Sequence, residues 1–325
     1  MEFAKRVTIG FDTSNYTTSV SVFDVDRGEI IANLKAPLKV ESGQKGLRQS
    51  DALFSHIKNL PELCEKLKEY YKIPSLCAIG YSGYPRDIEG SYMPCFLAGK
   101  SAAFSLASSG VPVYDFSHQA GHIMAAVWHS GHRELLNKPF LSFHVSGGTT
   151  ELLYVKPKDC GFDIKLIGET EDLNAGQLVD RVGVMLGLDF PCGPSLEKLA
   201  MEFDSRENKC RIIQKTVVKN LICNLSGAEN KAKKALDNGI PKEETAFFVL
   251  DFIARTLDKM TLDAKEKFGE LPVLYAGGVM SNKYIKNYLT ARHDAVFSGP
   301  EYSSDNACGT AILAAKRCLS DEGEI

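Results

Sequence analysis

At 325 residues, with 44% hydrophobic and 24% charged residues, the chain has the composition of a globular protein and enough length for two modest cores. The formal net charge of −3 argues against a protein that coats nucleic acid non-specifically, but it is compatible with a local basic patch. No stretch approaches the roughly 20 apolar residues of a membrane helix, and no apolar signal-peptide core follows the N-terminus, so we expect a cytoplasmic protein. The nine cysteines contain no Cys-x-x-Cys pair, which predicts reduced thiols.

The chain opens with three predicted strands, over residues 7–12, 17–24 and 29–33. The first strand ends in Asp12, and a hydroxyl-rich turn containing Ser14 leads into the second. Such a turn presents backbone N–H groups and side-chain donors to an anion. An ordinary hairpin is an equally good interpretation of this stretch alone.

Helical periodicity and turn residues divide the next region into alternating helices and strands. We predict a loop over residues 34–51, a helix over 53–71, a strand over 76–80, a turn over 81–87, a helix over 96–109 and a strand over 111–114. The first of these helices ends before Pro74, because proline cannot continue a helix.

The second half of the chain repeats the opening scheme. A buried strand over residues 140–145 runs into a glycine-rich turn at 146–150, and the chain returns as a strand over 151–155. A two-lobed fold with a phosphate loop in each half would produce this duplication. We therefore predict an α/β protein of two lobes.

The remaining elements continue the alternation. We predict strands over residues 164–168, 273–276 and 295–298, and helices over 118–130, 177–186, 195–203, 243–267 and from after Asn306 to 319. Ser195 is expected to cap the helix that it begins.

Two histidines, His118 and His122, open the helix predicted over residues 118–130. Side chains four apart lie on one face of a helix, so both imidazoles can reach one metal ion. The spacing alone equally describes a surface pair or two hydrogen-bonded, half-buried side chains. A carboxylate at the cap of the last helix, Asp305, would complete a ligand set suited to iron or zinc.

Glycine-bearing junctions occur at residues 146–148, 191–193 and 277–278. At each junction the backbone can approach a nucleotide without an intervening Cβ, and a helix that begins after Gly278 adds a favourable dipole for a phosphate. Each junction is weak evidence when taken singly. Together with the histidine pair they predict a metal and a nucleotide in one cleft.

Positive charges gather between residues 207 and 235. A run of this kind is usually a solvated surface, and contact with nucleic acid is the alternative. The charges belong to Lys209, Arg211, Lys215, Lys219, Lys231, Lys233 and Lys234.

The order of these motifs resembles the Kae1/TsaD/Qri7 family, once called glycoprotease, whose members make the threonylcarbamoyl modification of adenosine beside the tRNA anticodon. Chance agreement over so many spaced motifs is very small. They are DTS at 12–14, HQAGH at 118–122, VSGGTT at 145–150, AGQLVDR at 175–181, LGL at 186–188, PCGP at 191–194, LSG at 225–227, GGVMSN at 277–282 and SDN at 304–306.

The resemblance implies a two-lobed fold of the actin, hexokinase and Hsp70 superfamily, with duplicated ribonuclease-H-like domains around a nucleotide cleft. Residues 1–115, completed by a C-terminal helix over 306–325, would form one lobe, and residues 116–305 would form the other.

The resemblance also implies the site and its chemistry. One divalent metal, Fe²⁺ or Zn²⁺, would be held by His118, His122 and Asp305, with Mg²⁺ accompanying a nucleotide. Asp12 and Ser14 would be the catalytic residues. ATP or threonylcarbamoyl-AMP would be bound by His144, Val145, Ser146, Gly147, Gly148, Asp180, Gly193, Gly277, Gly278 and Asn282.

By the same resemblance, the acyl group would pass from the adenylate to the N6 amine of a tRNA adenosine. The partners would be tRNA, contacted through the basic residues 209–234, and other proteins of a threonylcarbamoylation complex. The peptidase activity suggested by the old family name is not expected, because a His-x-x-x-His pair without the Glu of the zincin helix lacks a general base for water.

Departures from the family pattern concentrate in the first loop. The family usually reads Glu-Thr-Ser-Cys-Asp-Glu-Thr, whereas this chain has Tyr16 and Thr17 in place of the two later acidic residues. In addition, Gln177 stands where Glu is common and Cys192 where a second Gly is common. These differences predict a divergent bacterial paralogue and keep a second hypothesis open, a non-catalytic or regulatory adenylate-binding partner of a true family member.

Overall fold

The computed structural model describes residues 5–14, 16–39, 47–205, 207–299 and 306–323. Within these ranges the strands are β1 (Val7–Asp12), β2 (Thr17–Asp24), β3 (Glu29–Pro37), β4 (Leu76–Tyr84), β5 (Val113–Ser117), β6 (Phe140–Val145), β7 (Thr150–Lys158), β8 (Gly161–Glu169), β9 (Val217–Lys219), β10 (Ile222–Asn224), β11 (Val273–Ala276) and β12 (Ala295–Phe297). The helices are α1 (Gln49–Leu67), α2 (Phe96–Leu106), α3 (His118–Ser130), α4 (Ala175–Met185), α5 (Gly193–Ala200), α6 (Ser226–Asp237), α7 (Lys242–Phe268), α8 (Lys283–Thr290) and α9 (Cys308–Asp321).

The chain divides into two compact units. The first consists of Met1–Leu136, Pro157–Asp163 and Ser304–Ile325, and the second of Asn137–Lys156 and Ile164–Ser303. The boundary differs from the one expected after residue 115, because α3 packs against α9 and stays with the first unit. Since α9 also packs against β1 and β4, the C-terminal helix is part of the first unit.

Each unit contains a five-stranded sheet, and the two sheets share one strand arrangement. In the first, the order is β3-β2-β1-β4-β5, with β1 antiparallel to β2 and parallel to β4. In the second, the order is β12-β11-β6-β7-β8, with β6 antiparallel to β7 and parallel to β11. The turn between β1 and β2 therefore corresponds to the turn between β6 and β7, which is the duplication that the sequence pattern indicates.

Each sheet is buried by helices, which explains its apolar sequence. Every residue of β1 is buried, and its large apolar side chains Val7, Ile9 and Phe11 alternate with Thr8, Gly10 and Asp12. In the second unit the 27-residue helix α7 supplies Phe248 and Phe252 to the core, and Phe143 of β6 stacks on Tyr275 of β11 with ring centroids 5.2 Å apart.

Glycines allow α9 to lie very close to its neighbours in the first unit. A Cβ at Gly80 of β4 would come within 2.6 Å of the Thr310 carbonyl oxygen of α9. A Cβ at Gly309 of α9 would overlap the carbonyl oxygen of Gly121 in α3. The backbones of these elements are therefore in direct contact, and side chains at these positions cannot be accommodated without movement.

The structure differs from the predicted elements at a few boundaries. β4 continues to Tyr84 through the turn expected over residues 81–87, because Ser82 and Tyr84 pair with β5. α5 begins at Gly193 rather than at Ser195, since a proline is tolerated in the first turn of a helix. β3 extends to Pro37, and residues 40–46 of the expected loop lie outside the described ranges.

The state of the cysteine thiols and the hydropathy of the helices can both be read from the structure. All nine cysteines have free thiols. In the part of the chain that the structure describes, no helix combines the length and the apolar character needed to cross a membrane.

The contact of Gly309 with Gly121 predicts a large effect of a single methyl group. Gly309→Ala should lower the free energy of unfolding, measured by urea denaturation, by about 1–3 kcal/mol because the helices must separate. Gly227→Ala is the matched control: Gly227 is also the second residue of its helix, and its Cβ would meet only the end of the Gln214 side chain at 3.4 Å. Equal losses in both variants would contradict the packing explanation.

Candidate metal and nucleotide sites

The histidine pair lies in the first turns of α3, directly after β5. Ser117 caps this helix: its side-chain oxygen accepts a hydrogen bond from the backbone N–H of Ala120 at 3.1 Å. The Ser117 hydroxyl also donates to the Asp87 carboxylate at 2.6 Å. These two bonds fix the start of the helix and therefore the direction in which His118 projects.

His118 and His122 face each other through their Nε2 atoms, which are 2.9 Å apart. The two rings are nearly perpendicular, at 83°, with centroids 4.3 Å apart. At this distance one ring donates its Nε2–H and the other accepts, and this hydrogen bond distinguishes the pair from two unconnected surface histidines. Imidazole nitrogens are ligands for zinc and iron, so the pair fits a divalent metal of either kind.

The Asp12 carboxylate contacts His118 at Nδ1, the ring nitrogen that does not face His122. Its Oδ2 atom lies 2.9 Å from Nδ1 of His118, and its side chain is 2% exposed. The Asp12 carboxylate also accepts bonds from Ser14, at 3.1 Å from the backbone N–H and 3.4 Å from the hydroxyl. Asp12 and Ser14 therefore belong to the same buried group as His118.

The third proposed ligand, Asp305, lies outside the described residues. Among the residues that are described, no group of three or more His, Cys, Asp or Glu side chains is arranged to hold a metal ion. The structure therefore describes two hydrogen-bonded imidazoles, and the third proposed ligand lies outside the residues it describes.

The second unit contains a cavity of about 260 Å³. Its wall is built from the turn after β6, the side of α4 that carries Gly176, Val179 and Asp180, the start of α5, one residue of α7 and the turn after β11. The lining residues are Gly147, Gly176, Val179, Asp180, Pro191, Gly193, Pro194, Glu197, Leu250, Gly278, Val279, Ser281 and Asn282.

All three glycine junctions of the sequence contribute to this one wall. Of the residues expected at the nucleotide, the wall contains Gly147, Asp180, Gly193, Gly278 and Asn282. The others lie beside it, in β6 or next to the turns: His144, Val145, Ser146, Gly148 and Gly277.

Two of these neighbouring residues have structural roles. The Val145 side chain is fully buried in the core of the second unit, so it points away from solvent. Gly277, with φ of 104°, lies against the Val145 carbonyl, and a Cβ there would overlap it. These two residues shape the wall from behind.

The turn after β6 is held tightly by backbone hydrogen bonds. Ser146 N–H donates to the Thr149 carbonyl at 2.8 Å, and Gly176 N–H donates to the Ser146 carbonyl at 3.1 Å. A Cβ at Gly176 would lie 2.6 Å from the Gly147 nitrogen. The glycine at the start of α4 is therefore required for the close approach of helix and turn.

Gln177, found where Glu was expected, accepts a hydrogen bond from the Asn174 N–H at 3.2 Å in the capping box of α4.

Asp180 joins α4 to the start of α5. Its Oδ1 atom accepts a hydrogen bond from the backbone N–H of Cys192 at 2.8 Å. The Cys192 side chain packs against Gly183, where a Cβ would overlap it, so the glycine provides the space for this cysteine. Burial raises the pKa of the Cys192 thiol, and the negative charges of Asp180 and Asp189 raise it further. This thiol is therefore neutral and serves as a packing group rather than a nucleophile.

Sequence reasoning missed several residues of the wall, which are Gly176, Val179, Pro191, Pro194, Glu197, Leu250, Val279 and Ser281. Glu197 accepts a hydrogen bond from the backbone N–H of Lys283 at 2.7 Å and lines the cavity together with Ser281. Its position one helical turn after Gly193 could have indicated the shared face. Leu250 comes from the middle of the amphipathic helix α7, and its sequence context carries no such signal.

The basic stretch is partly a surface and partly an anchor. Arg211 makes a two-pronged ion pair with the buried Glu244 of α7, at 2.6 and 2.9 Å, and this hydrogen bonding holds the pKa of Glu244 below its usual value. The lysines of the stretch are exposed: Lys209, Lys215, Lys219, Lys231, Lys233 and Lys234. Arg211 therefore attaches the basic stretch to α7, and the lysines form a positively charged, solvent-exposed surface.

Comparison with known sequences agrees with the motif order. A family model described as TsaD, tRNA N6-adenosine threonylcarbamoyltransferase, matches residues 29–312. A tRNA N6-adenosine threonylcarbamoyltransferase of Thermus thermophilus is 30% identical over 312 residues, 95% of this chain and 92% of the relative. One of Neorickettsia sennetsu is 28% identical over 324 residues, 96% of this chain and 94% of the relative.

Solved structures extend the likeness to the fold. HypF of T. kodakarensis aligns with a TM-score of 0.62 at 13% identity, over 98% of this chain and 48% of HypF. Component A of the Acidaminococcus fermentans (R)-2-hydroxyglutaryl-CoA dehydratase aligns with a TM-score of 0.53 at 15% identity, over 97% and 99% of the two chains. At these identities the likeness concerns the fold alone, and it confirms the predicted two-lobed α/β fold.

The position of Gly176 predicts how the cavity responds to one methyl group. Gly176→Ala should displace the turn after β6 and weaken the binding of an adenine nucleotide at least about tenfold, or 1.4 kcal/mol, in isothermal calorimetry. Gly227→Ala, in another helix of the same unit, should leave the affinity unchanged. An unaltered Kd for Gly176→Ala would show that this turn takes no part in the site.

Proposed function

Since the chain belongs to the family of tRNA N6-adenosine threonylcarbamoyltransferases, we propose that it transfers a threonylcarbamoyl or related carbamoyl group from an acyl-adenylate to the N6 amine of a tRNA adenosine. The observation that carries the proposal is the cavity in the second unit where three glycine junctions meet Asp180 and Asn282. In the reaction the amine nitrogen attacks the carbamoyl carbon, a C–N bond forms, and the C–O bond to the phosphate breaks. AMP departs with the electron pair, and the amine loses one proton.

The adenylate occupies this cavity in the proposal. Backbone at Gly147 and Gly278 can approach phosphate oxygens because neither residue has a Cβ to keep a ligand away. Carboxylate and amide groups at Asp180, Glu197 and Asn282 provide acceptors and donors for ribose hydroxyls and the base. ATP would use the same groups, with Mg²⁺ accompanying its phosphates.

His118 and His122 hold the Fe²⁺ or Zn²⁺ ion in the proposal. When bound, a divalent metal supplies Lewis-acid polarisation of a carbonyl oxygen. Asp305 is the third proposed ligand.

The first loop favours a second candidate function for one specific reason. Tyr16 and Thr17 occupy the positions of two family carboxylates, which removes two candidate bases for the proton of the attacking amine. A divergent paralogue that binds the adenylate without transferring its acyl group, and that pairs with a true family member, would have the same cavity. The assay below separates the two functions.

The central experiment incubates the pure chain with threonylcarbamoyl-adenylate and unmodified tRNA, with and without the partner proteins of a threonylcarbamoylation complex. Modified adenosine, detected by nucleoside mass spectrometry, is the expected product. Asp180→Ala should lower kcat/KM at least about tenfold, and Asp180→Asn, which keeps the acceptor for Cys192, should separate charge from structure. Asp237→Ala, at an exposed position of α6, is the control.

Three outcomes are informative. Product formation that depends on Asp180 supports the transferase. Binding of the adenylate without product in any combination supports the non-catalytic partner. No binding of any adenine nucleotide contradicts both functions.

The exposed lysines of the second unit are the proposed contact with tRNA, and a cytoplasmic location is part of the same proposal. Lys231→Glu combined with Lys234→Glu should raise the KM for tRNA and reduce the slope of log affinity against log salt by about one for each lost phosphate contact. The Kd of the adenylate should not change. Lys156→Glu combined with Lys158→Glu, at two exposed lysines outside the basic stretch, is the matched control with the same change in net charge, and an equal effect there would argue for a general influence of net charge.

A further inference from the structure

The carboxylate of Asp12 joins two distant parts of the first unit. Asp12 is the last residue of β1, and His118 is the first residue of α3, 106 residues later. Their side chains meet at 2.9 Å between Oδ2 and Nδ1. The Asp12 side chain is 2% exposed and that of His118 is 20% exposed, so water competes little for this bond.

The chemistry of this bond selects one tautomer of His118. A carboxylate only accepts hydrogen bonds, so the imidazole must carry its proton on Nδ1. The lone pair of the neutral ring then resides on Nε2, the atom that faces His122 Nε2 at 2.9 Å. The His122 Nε2–H is then the donor in this contact, so the His118 ring is oriented with its lone pair toward His122, and ligation of one metal by both rings requires that His122 move its proton to Nδ1.

We propose that Asp12 is a positioning residue, which holds His118 in the Nδ1–H tautomer and directs its Nε2 atom toward a divalent metal. The inference rests on the metal centre proposed above and assigns to Asp12 a role through His118 rather than through the substrate. Partners of this kind on ligating histidines contribute roughly 10–100-fold to metal affinity.

The two oxygens of the Asp12 carboxylate have different main partners, so a single substitution can separate their roles. Oδ1 accepts the backbone N–H of Ser14 at 3.1 Å, which stabilises the turn. Oδ2 accepts from His118 at 2.9 Å and also lies 3.4 Å from the Ser14 hydroxyl. In Asp12→Asn, the amide oxygen can still accept the hydrogen bond from the Ser14 N–H. The amide NH₂ group would then face His118 Nδ1, and this group is a hydrogen-bond donor. This donor favours the opposite tautomer, in which Nε2 carries the proton and cannot ligate.

Asp24 provides a matched control on the neighbouring strand. Its side chain is also 2% exposed, and its Oδ1 atom accepts backbone N–H groups of Asp26 and Arg27 at 3.0 Å each. It therefore forms the same kind of turn without the same contact to an imidazole. Asp24→Asn tests the loss of a buried carboxylate from this sheet in itself.

The experiment uses the full chain and Co²⁺ as the probe. Co²⁺ is titrated into the wild type, Asp12→Asn, Asp12→Glu, Asp24→Asn and His122→Ala, and binding is followed by the visible d–d absorption. We expect a 10–100-fold weaker Kd in Asp12→Asn, a change of less than about threefold in Asp12→Glu and Asp24→Asn, and loss of the band in His122→Ala.

A second measurement reads the tautomer without metal. Long-range ¹H–¹⁵N spectra of the imidazoles, with His118 assigned by His118→Ala, should show Nδ1–H in the wild type and a shift toward Nε2–H in Asp12→Asn. Thermal unfolding of each variant reports on folding. The tautomer measurement does not depend on activity or on loading.

The two proposals fail in different ways. If the wild type binds no Co²⁺, the proposed metal centre is contradicted. The tautomer measured by NMR then tests only whether Asp12 orients His118. Equal Co²⁺ affinity and an unchanged tautomer in a folded Asp12→Asn would overturn the inference while leaving the metal centre intact. An equal loss of affinity in Asp24→Asn would also overturn it, because the effect would then be one of general destabilisation.

Discussion

The close packing of α9 is the constraint on which the first unit depends. Gly80 allows the helix to lie directly on β4, and Gly309 allows it to touch Gly121 of α3. Backbone contacts of this kind leave no room for adjustment, because a shift of one element would either open a void or create an overlap. The packing therefore fixes α3 relative to the sheet. Since α3 carries His118 and β1 carries Asp12, the short bond between these two side chains is a consequence of the same contact.

The two units use equivalent turns for different purposes. The turn after β1 holds Asp12, whose carboxylate is buried and engaged with Ser14 and His118. The corresponding turn after β6 contains Gly147, which leaves backbone groups facing the cavity. The difference follows from the side chains: a carboxylate can reach another element, whereas glycine exposes the main chain itself. One duplicated frame thus offers an acceptor for an imidazole in one unit and an approach for an anion in the other.

Much of the secondary structure could be predicted because it depends on near neighbours. The predicted bounds of β2, β6 and α3 agree with the structure, since strong apolar periodicity and clear turn residues mark their ends. The end of β4 could not be predicted, because Tyr84 stays in the strand only through its pairing with β5. Leu250 was missed at the cavity for a similar reason: its position depends on how α7 packs, which a local pattern does not express. Glu197 differs, because its place one helical turn after Gly193 is a local signal.

By itself, the sequence determined the alternation of strands and helices, the placement of His118 and His122 on one helical face, and the glycines that permit close backbone approach. These properties follow from the two-residue and 3.6-residue periods and from the absence of a Cβ. Only the tertiary structure decided that Asp12 meets His118 and that Gly147, Gly193 and Gly278 line one cavity while Val145 turns into the core. Those contacts join residues far apart in the chain, and strand order and helix packing alone bring them together.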